Sequence, residues 1–585
     1  MSKIQAIRAG RRQLRLSILA AGLGFNLLVL GGDALAQARP DAGSIQQEQE
    51  RGRVPGLVPA PRNAPLVEER GRPALAAPAA RVFPVAGFRV TRTTVFPEAD
   101  LLLLLVRFKG RDLSLADLEY AAEAITLYYR ERGYFLARAY VPAQDIRDGI
   151  VEITVLEGAV EGIRLKLGQA TRLQEGTIRN TVRAAVPEDG PVRLVEIERG
   201  MLLLKAIPGI EALAVLLPGA ALGTSVIAVE VNEGPLLSGS LDFDNHGSKF
   251  TGAFRLGATL EVNNPTGFGD QLSVRATSST GTTYGRLAYQ VPVGVTGLKV
   301  GGAYAETRYR LCCDFAPLEA RGQAQTASLN AAYPILRGRD ANLYGTLAFE
   351  SRHYLNATLA GTTSDKKARA VMLGLNGDSS DFLGGGGLNS FSLAHASGRL
   401  DLDGSVPDRV ADDASARSHG GYRRIGYALA RLQRLGASTS LYAGLSGQFA
   451  SRNLDSSEKF ILGGPYGVRG FPSGEGAGDE GMLLNLEVRH ELRPALQFTA
   501  FYDRGEIRLH RNEWAGWQGT NTLISNRYGL SGAGLGVNWG QPGNFFVRAS
   551  VARPVGDNPG RNANGNNADN TSNHLRLWFQ AVKFL

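Results

Sequence analysis

The amino-acid sequence predicts two small α+β domains followed by a transmembrane antiparallel β-barrel of about 16 strands. Three observations predict it. A strand-like motif closing on Glu-Gly occurs twice, as Val151-Glu152-Ile153-Thr154-Val155-Leu156-Glu157-Gly158 and as Ile227-Ala228-Val229-Glu230-Val231-Asn232-Glu233-Gly234, at an offset of 76 residues, the size of a small domain. From Pro235 onward apolar and polar residues alternate with period two, the pattern of strands with one face in lipid and the other in water. Past the N-terminal segment no apolar run approaches helical spanning length, so membrane insertion requires a closed barrel, in which every backbone group finds a partner.

The elements follow in chain order. Lys3, Arg8, Arg11, Arg12 and Arg15 precede an apolar stretch from Leu16 to Leu30 and then Ala34-Leu35-Ala36, which reads as an export signal over residues 1–36. The stretch is broken by Asn26 and several glycines and is shorter than the roughly 20 apolar residues of an anchor, so cleavage after Ala36 is expected. Residues 37–80 change character. Ser44-Ile45-Gln46-Gln47 predicts a capping box opening a short polar helix through Arg51. Pro55, Pro59, Pro61, Pro65, Pro73 and Pro78 then predict an extended linker without regular structure.

In residues 81–158, Phe88 to Val95 reads as a strand and Leu101–Val106 as one buried core segment. Ser114 caps a helix with Asp117 at its N3 position, and Leu118, Ala121, Ala122, Ile125, Tyr128 and Tyr129 form its apolar stripe. Gly133 ends that helix, and Asp148-Gly149 predicts a hairpin turn. Residues 159–234 repeat the order: a strand at Ile163–Leu167, helices near Leu173–Val186 and Leu194–Ala206, then strands near Ala212–Leu217 and Ser225–Val231. Each small sheet offers an open edge, and an edge can take up an extended peptide as an added strand.

Residues 235–585 number 351, enough for about 16 strands at roughly 10 residues each plus turns and longer outer loops. Phe254, Leu256, Ala258, Leu260 and Val262 alternate with Arg255, Gly257, Thr259 and Glu261; Leu484, Leu486 and Val488 alternate with Asn485, Glu487 and Arg489. The last strand, Leu575-x-Leu577-x-Phe579-x-Ala581, ends in Phe584-Leu585. Alternation hides the apolar face, so 43% hydrophobic and 20% charged residues look like a soluble average. The formal charge of +9 falls to +5 without residues 1–36 (59 basic, 54 acidic), and the basic residues are spread out, which excludes a nucleic-acid footprint. Cys312 and Cys313 are adjacent and cannot staple distant segments; they form either a vicinal disulfide or two thiols in a surface loop. The seven histidines show no zinc-like spacing, there is no phosphate loop, and no nucleophile elbow stands out, so no metal, cofactor or catalytic residue is expected.

The candidate site lies near the C-terminus. Val468-Arg469-Gly470-Phe471 follows the glycine-rich Gly463-Gly464-Pro465-Tyr466-Gly467, and Phe501-Tyr502-Asp503-Arg504-Gly505 closes a strand about thirty residues on. Phe498, Ala500 and Tyr502 share one face; Gln497, Thr499, Phe501, Asp503 and Gly505 share the other. With the apolar face in lipid, Asp503 points into a polar lumen and Gly505 leaves room for a visiting loop. A buried carboxylate needs a cation, and the loop with enough glycine to bend inward carries Arg469. The pair reads equally as a structural clamp or as a gate.

These two motifs resemble the loop and strand signatures of the POTRA-containing outer-membrane transporters, and within them the two-partner secretion family, the hemolysin secretion/activation proteins. The two Glu-Gly-ended units resemble POTRA domains, and Asp244-Asn245-His246-Gly247 and Asn264-Pro265-Thr266-Gly267-Phe268-Gly269-Asp270 resemble the opening turns of that family's barrels. The resemblance implies a pore in the outer membrane with its N-terminal domains in the periplasm. There they capture an unfolded secreted exoprotein, which threads the barrel without ATP. It also implies that the helix in residues 37–80 can sit in the barrel as a removable plug, and that outer-membrane lipid and the barrel assembly machinery are further partners. The alternative within the superfamily is a barrel insertase, whose members typically carry more POTRA repeats. A diffusion porin would leave the repeats idle.

Overall fold

The structure, a computed structural model, describes residues 40–51, 66–69, 82–187, 190–519, 521 and 524–585. The expected export signal and most of the Pro-rich linker lie outside the described residues. None of the described helices is long and apolar enough to cross a membrane.

The first α+β unit pairs Gly87–Thr91 and Arg138–Tyr140 to either side of Ile150–Leu156, with a second two-stranded sheet of Val82–Val85 and Arg111–Ser114. Ser114 and Asp117 form the full reciprocal box at the start of Leu115–Glu131, and Leu118, Ala121, Ala122, Ile125 and Tyr129 are buried. Asp148 and Gly149 both take positive φ (54° and 68°), as a two-residue turn between twisted strands requires. The run Leu101–Val106 is corrected. It is mostly the helix Glu98–Leu105, and it buries Leu101 and Leu105 while Leu103 is 71% and Val106 63% exposed. Helical period therefore turned only part of an unbroken apolar run inward. The expected strand to Val95 stops at Thr91.

The second unit packs Glu175–Ala185 and Leu194–Lys205 on a sheet ordered Val67–Glu69, Ile210–Pro218, Thr224–Glu233, Ala159–Leu167. Its first strand is the second correction, because it comes from the supposed featureless linker. It pairs parallel to Ile210–Pro218, with Val67 opposite Ala214, and the carbonyl of buried Leu66 accepts from Ala214 N at 3.0 Å. One edge expected to be open is thus covered by the chain itself. Pro65 and Pro73 flank a stretch short enough to pair without placing a proline in the ladder.

The repeated Glu-Gly ending has a local cause. Glu157 accepts from the backbone of Thr94 and Val95 (2.7 and 2.8 Å), from the Thr94 hydroxyl and from Tyr129 Oη (2.7 Å). Glu233 accepts from the backbone of Arg172 and Leu173 (2.6 and 2.9 Å). Each carboxylate ties the start of its unit to the end of the last strand, and Gly158 follows at φ 81°.

Among the described residues sixteen strands, from Leu237–Asp244 to Arg576–Phe584, form a closed antiparallel barrel, sealed by pairing from Ser240↔Phe584 to Asp244↔Gln580. The second unit is fastened to the turns at one end. Gln174 N donates to Gly267 O (3.0 Å) and Lys299 Nζ to Ala206 O (2.6 Å), where it caps the C-terminal end of Leu194–Lys205. Longer loops stand at the other end, and one holds a Cys312–Cys313 disulfide.

The polar helix Ala42–Arg51 lies inside the barrel, against inward-facing Thr307, Tyr309, Asn356 and Lys366. Its cap is displaced by three residues from the expectation. Asp41 is the N-cap, with Ser44 N donating to Asp41 Oδ1 and Asp41 N to Ser44 Oγ, both at 2.9 Å.

Candidate functional site

Strand Leu496–Arg508 alternates as its sequence dictates. Phe498 is 48% exposed on the outer wall, while Phe501 and Asp503 are buried on the inner one. The segment 451–479 leaves the wall after Thr439–Ala450 and folds back into the lumen through the short hairpin of Phe460–Ile461 with Ala477–Gly478. Glycine makes the fold-back possible: Gly464 sits at φ 112°, and Val468 N reaches Leu462 O at 2.7 Å across the turn.

This brings all the sequence-selected residues together. Arg469 forks onto Asp503, with Nε to Oδ2 at 2.8 Å and Nη2 to Oδ1 at 2.7 Å, and its backbone N adds a third bond at 3.1 Å. Its guanidinium lies 3.5 Å from the centre of the Phe501 ring. Val468 and Phe471 are buried in an apolar cluster with Leu462, Leu483, Ile507 and Leu530. A Cβ on Gly470 would come within 2.8 Å of the Arg553 backbone, so the loop tip lies directly on the wall. Gly505 does leave room for the visiting loop, whose Leu462 lies against it.

Three partners were not singled out from sequence. Glu487 takes Arg469 Nη1 at 2.7 Å and is shared with Arg489; Asn485 donates to Asp503 Oδ1 at 2.7 Å; Trp578 Nε1 donates to Arg469 O at 2.8 Å. The signal was available. Asn485 and Glu487 alternate with outward leucines, and Trp578 sits between Leu577 and Phe579. Two arginines thus balance two carboxylates, which is the condition for holding charge in a partly dry lumen. Beside them lies a cavity of about 480 Å³ lined by Glu487, Arg489, Gln497, Asn538 and Arg548. Elsewhere Asp401, Asp403 and His419 bring possible ligand atoms within 4.8 Å of one another, a grouping that the scattered histidines gave no sign of.

A sixteen-stranded barrel with α+β domains at one end and an arginine-tipped loop on its inner wall is the architecture of an outer-membrane transporter of the POTRA-and-barrel class. Residues 223–539 match the model described as haemolysin secretion/activation protein ShlB/FhaC/HecB, and residues 83–158 match a ShlB-type POTRA domain; the chain belongs to this two-partner secretion family. The heme/hemopexin transporter protein HuxB of Haemophilus influenzae (strain 86-028NP) is 28% identical over 590 residues, covering 97% of this chain and 99% of its own. The outer membrane transporter CdiB of Dickeya dadantii is 26% identical, covering 74% of this chain and 77% of its own. The solved CdiB from Escherichia coli superposes with a TM-score of 0.69 at 21% identity, over 94% of this chain and 100% of that one, which shows a shared fold. The chain is an outer-membrane protein with its N-terminal domains in the periplasm.

Proposed function

We propose that this chain exports one partner exoprotein, taken up unfolded in the periplasm, through its own lumen to the cell surface, without ATP and without catalysing a reaction. Relatives named as transporters of heme/hemopexin and of hemolysin support a secreted cargo. The single observation that carries the reading is the lumen itself: a loop and a helix, each held by polar and charged groups, occupy the interior of a sixteen-stranded barrel, a size that otherwise leaves an aqueous channel. Cargo adds as a strand to the edge of Ile210–Pro218, in exchange for Val67–Glu69. Release of Ala42–Arg51, which acts as a removable plug, follows the loss of that strand, and Arg469–Asp503 acts as the loop-to-wall lock. Folding of the exoprotein outside supplies the direction. Lipid surrounds the outer wall, and the barrel assembly machinery inserts it.

Deleting the gene and comparing the proteins in the medium with those in the outer membrane tests this. Loss of a single large exoprotein is expected. Loss of many outer-membrane barrels would instead establish the insertase reading, and no change in either fraction would remove both.

A further inference from the structure

Lys366 projects inward from Gly361–Asp381, and its ammonium lies between two carboxylates. One is Asp41 (3.1 Å), which caps the lumenal helix; the other is Asp455 (2.7 Å), at the base of the inward loop. The turn Ser456–Glu458 that follows lies directly on the helix. Ser456 Oγ donates to Asp41 at 2.6 Å, Gln47 Nε2 donates to Lys459 O at 2.8 Å, and a Cβ on Gly43 would lie 2.8 Å from Ser457 Cβ. The far side of that turn is bound to the wall through Glu458, which takes Arg424 Nε and Tyr422 Oη (2.6 and 2.7 Å) and pairs with Arg352.

A buried ammonium requires one carboxylate, and Lys366 has two. If the helix leaves, Asp41 departs with it into water while Lys366 remains paired to Asp455, so no charge is stranded. If the loop base leaves first, Glu458 must abandon two arginines, and the helix lying on the turn loses its seat. We infer that Lys366 is a positioning residue that passes its ion pair wholly to Asp455, so that the helix must leave the lumen before the loop base can move. This rests on the reading of the helix as a plug.

The test uses the full-length protein in liposomes. Single cysteines replace Ala42 (helix) or Leu462 (loop), both fully buried, and a thiol-reactive dye times their exposure; the native cysteines are joined and silent. Asp41→Asn keeps a good N-cap through Oδ1 and removes the charged acceptor that Lys366 and Ser456 share at Oδ2. It is expected to speed labelling at position 42 by about tenfold or more, the factor for losing a hydrogen bond to a charged group, and to speed position 462 by the same factor, because the loop can move only once the helix is out. Lys366→Gln is expected to speed both. Acceleration at position 42 alone by Asp41→Asn, or none at either position, overturns the order of release. The plug reading is judged separately by removing residues 40–51. Unchanged conductance there sinks the plug, whereas a raised conductance together with a failed Asp41→Asn result sinks only the role of Lys366.

Discussion

The loop and the helix occupy the same lumen but are held by different chemistry. The helix buries only Ala42 and Ile45 as apolar side chains and rests largely on amide and hydroxyl bonds, from Gln46, Gln47, Ser456 and the Ala42 amide, together with the ion pair shared at Lys366 and Glu48 facing the cavity it shares with Arg255. Water can replace nearly all of these, so their net worth is small. The loop instead sets a bidentate arginine on a fully buried carboxylate, stacks it on Phe501, presses Gly470 on backbone and adds an apolar cluster. Water cannot replace that set without stranding Asp503. On the function proposed above, the difference makes the helix the removable element and the loop the seat that has to be broken deliberately.

Arg469→Ala breaks that contrast most severely. It removes the fork and the ring contact and leaves Asp503 buried without its counter-ion, a loss of about 3–5 kcal/mol. Export to the medium should fall to background while the barrel still inserts and resists heat unfolding on a gel; export at the original rate would falsify the assigned role. Reversing the charges, Arg469→Asp with Asp503→Arg, should restore part of the export if the contact is direct. Gly470→Ala comes next. Its methyl would sit 2.8 Å from the Arg553 backbone, overpacking worth about 1–3 kcal/mol, so severalfold slower export is expected with the lock residues intact. Asn356→Ala acts on the weaker guest. It removes the acceptor for the Ala42 amide, a cap worth about 1 kcal/mol, so spontaneous openings in single-channel recordings should become roughly fivefold more frequent with export unchanged. Openings at the original frequency would show that the helix is held elsewhere.

The Arg469–Asp503 pair was legible because two local rules combined: strict period-two parity placed Asp503 inward, and clustered glycines marked the nearest loop able to bend inward. The same parity contained Asn485, Glu487 and Trp578, but nothing in a linear sequence distinguishes an inward glutamate that meets the loop tip from one that meets water. The helix was legible as a helix and not as a lumenal one, since its partners Lys366 and Ser456 lie hundreds of residues away. Its cap was misplaced because Asp41 and Ser44 bond reciprocally, so either end of the pair can be read as the start. Strand Val67–Glu69 was hidden by the prolines around it, and edge pairing asks for backbone groups rather than a side-chain pattern.

The mildest change tests whether a buried carboxylate must serve transport at all. Glu157 in the first periplasmic unit is nearly as enclosed as the lumenal acids, yet it binds only its own domain. Burial pushes its carboxyl up, but hydrogen bonds from Thr94, Val95 and Tyr129 outweigh burial and hold it below its ordinary value. A carboxyl depressed on folding contributes stability that is fully present at neutral pH and is lost as pH falls below about 4.3, through the folded value. Glu157→Gln should therefore leave export at neutral pH unchanged and cost this domain about 1–2 kcal/mol there. Between pH 7 and pH 3 the variant should lose less stability than the original chain in denaturant melts. Parallel pH curves would mean that this carboxylate is not what ties Thr94 to the last strand. A drop in neutral-pH export would erase the distinction drawn between carboxylates that hold a domain together and those that hold a pore shut.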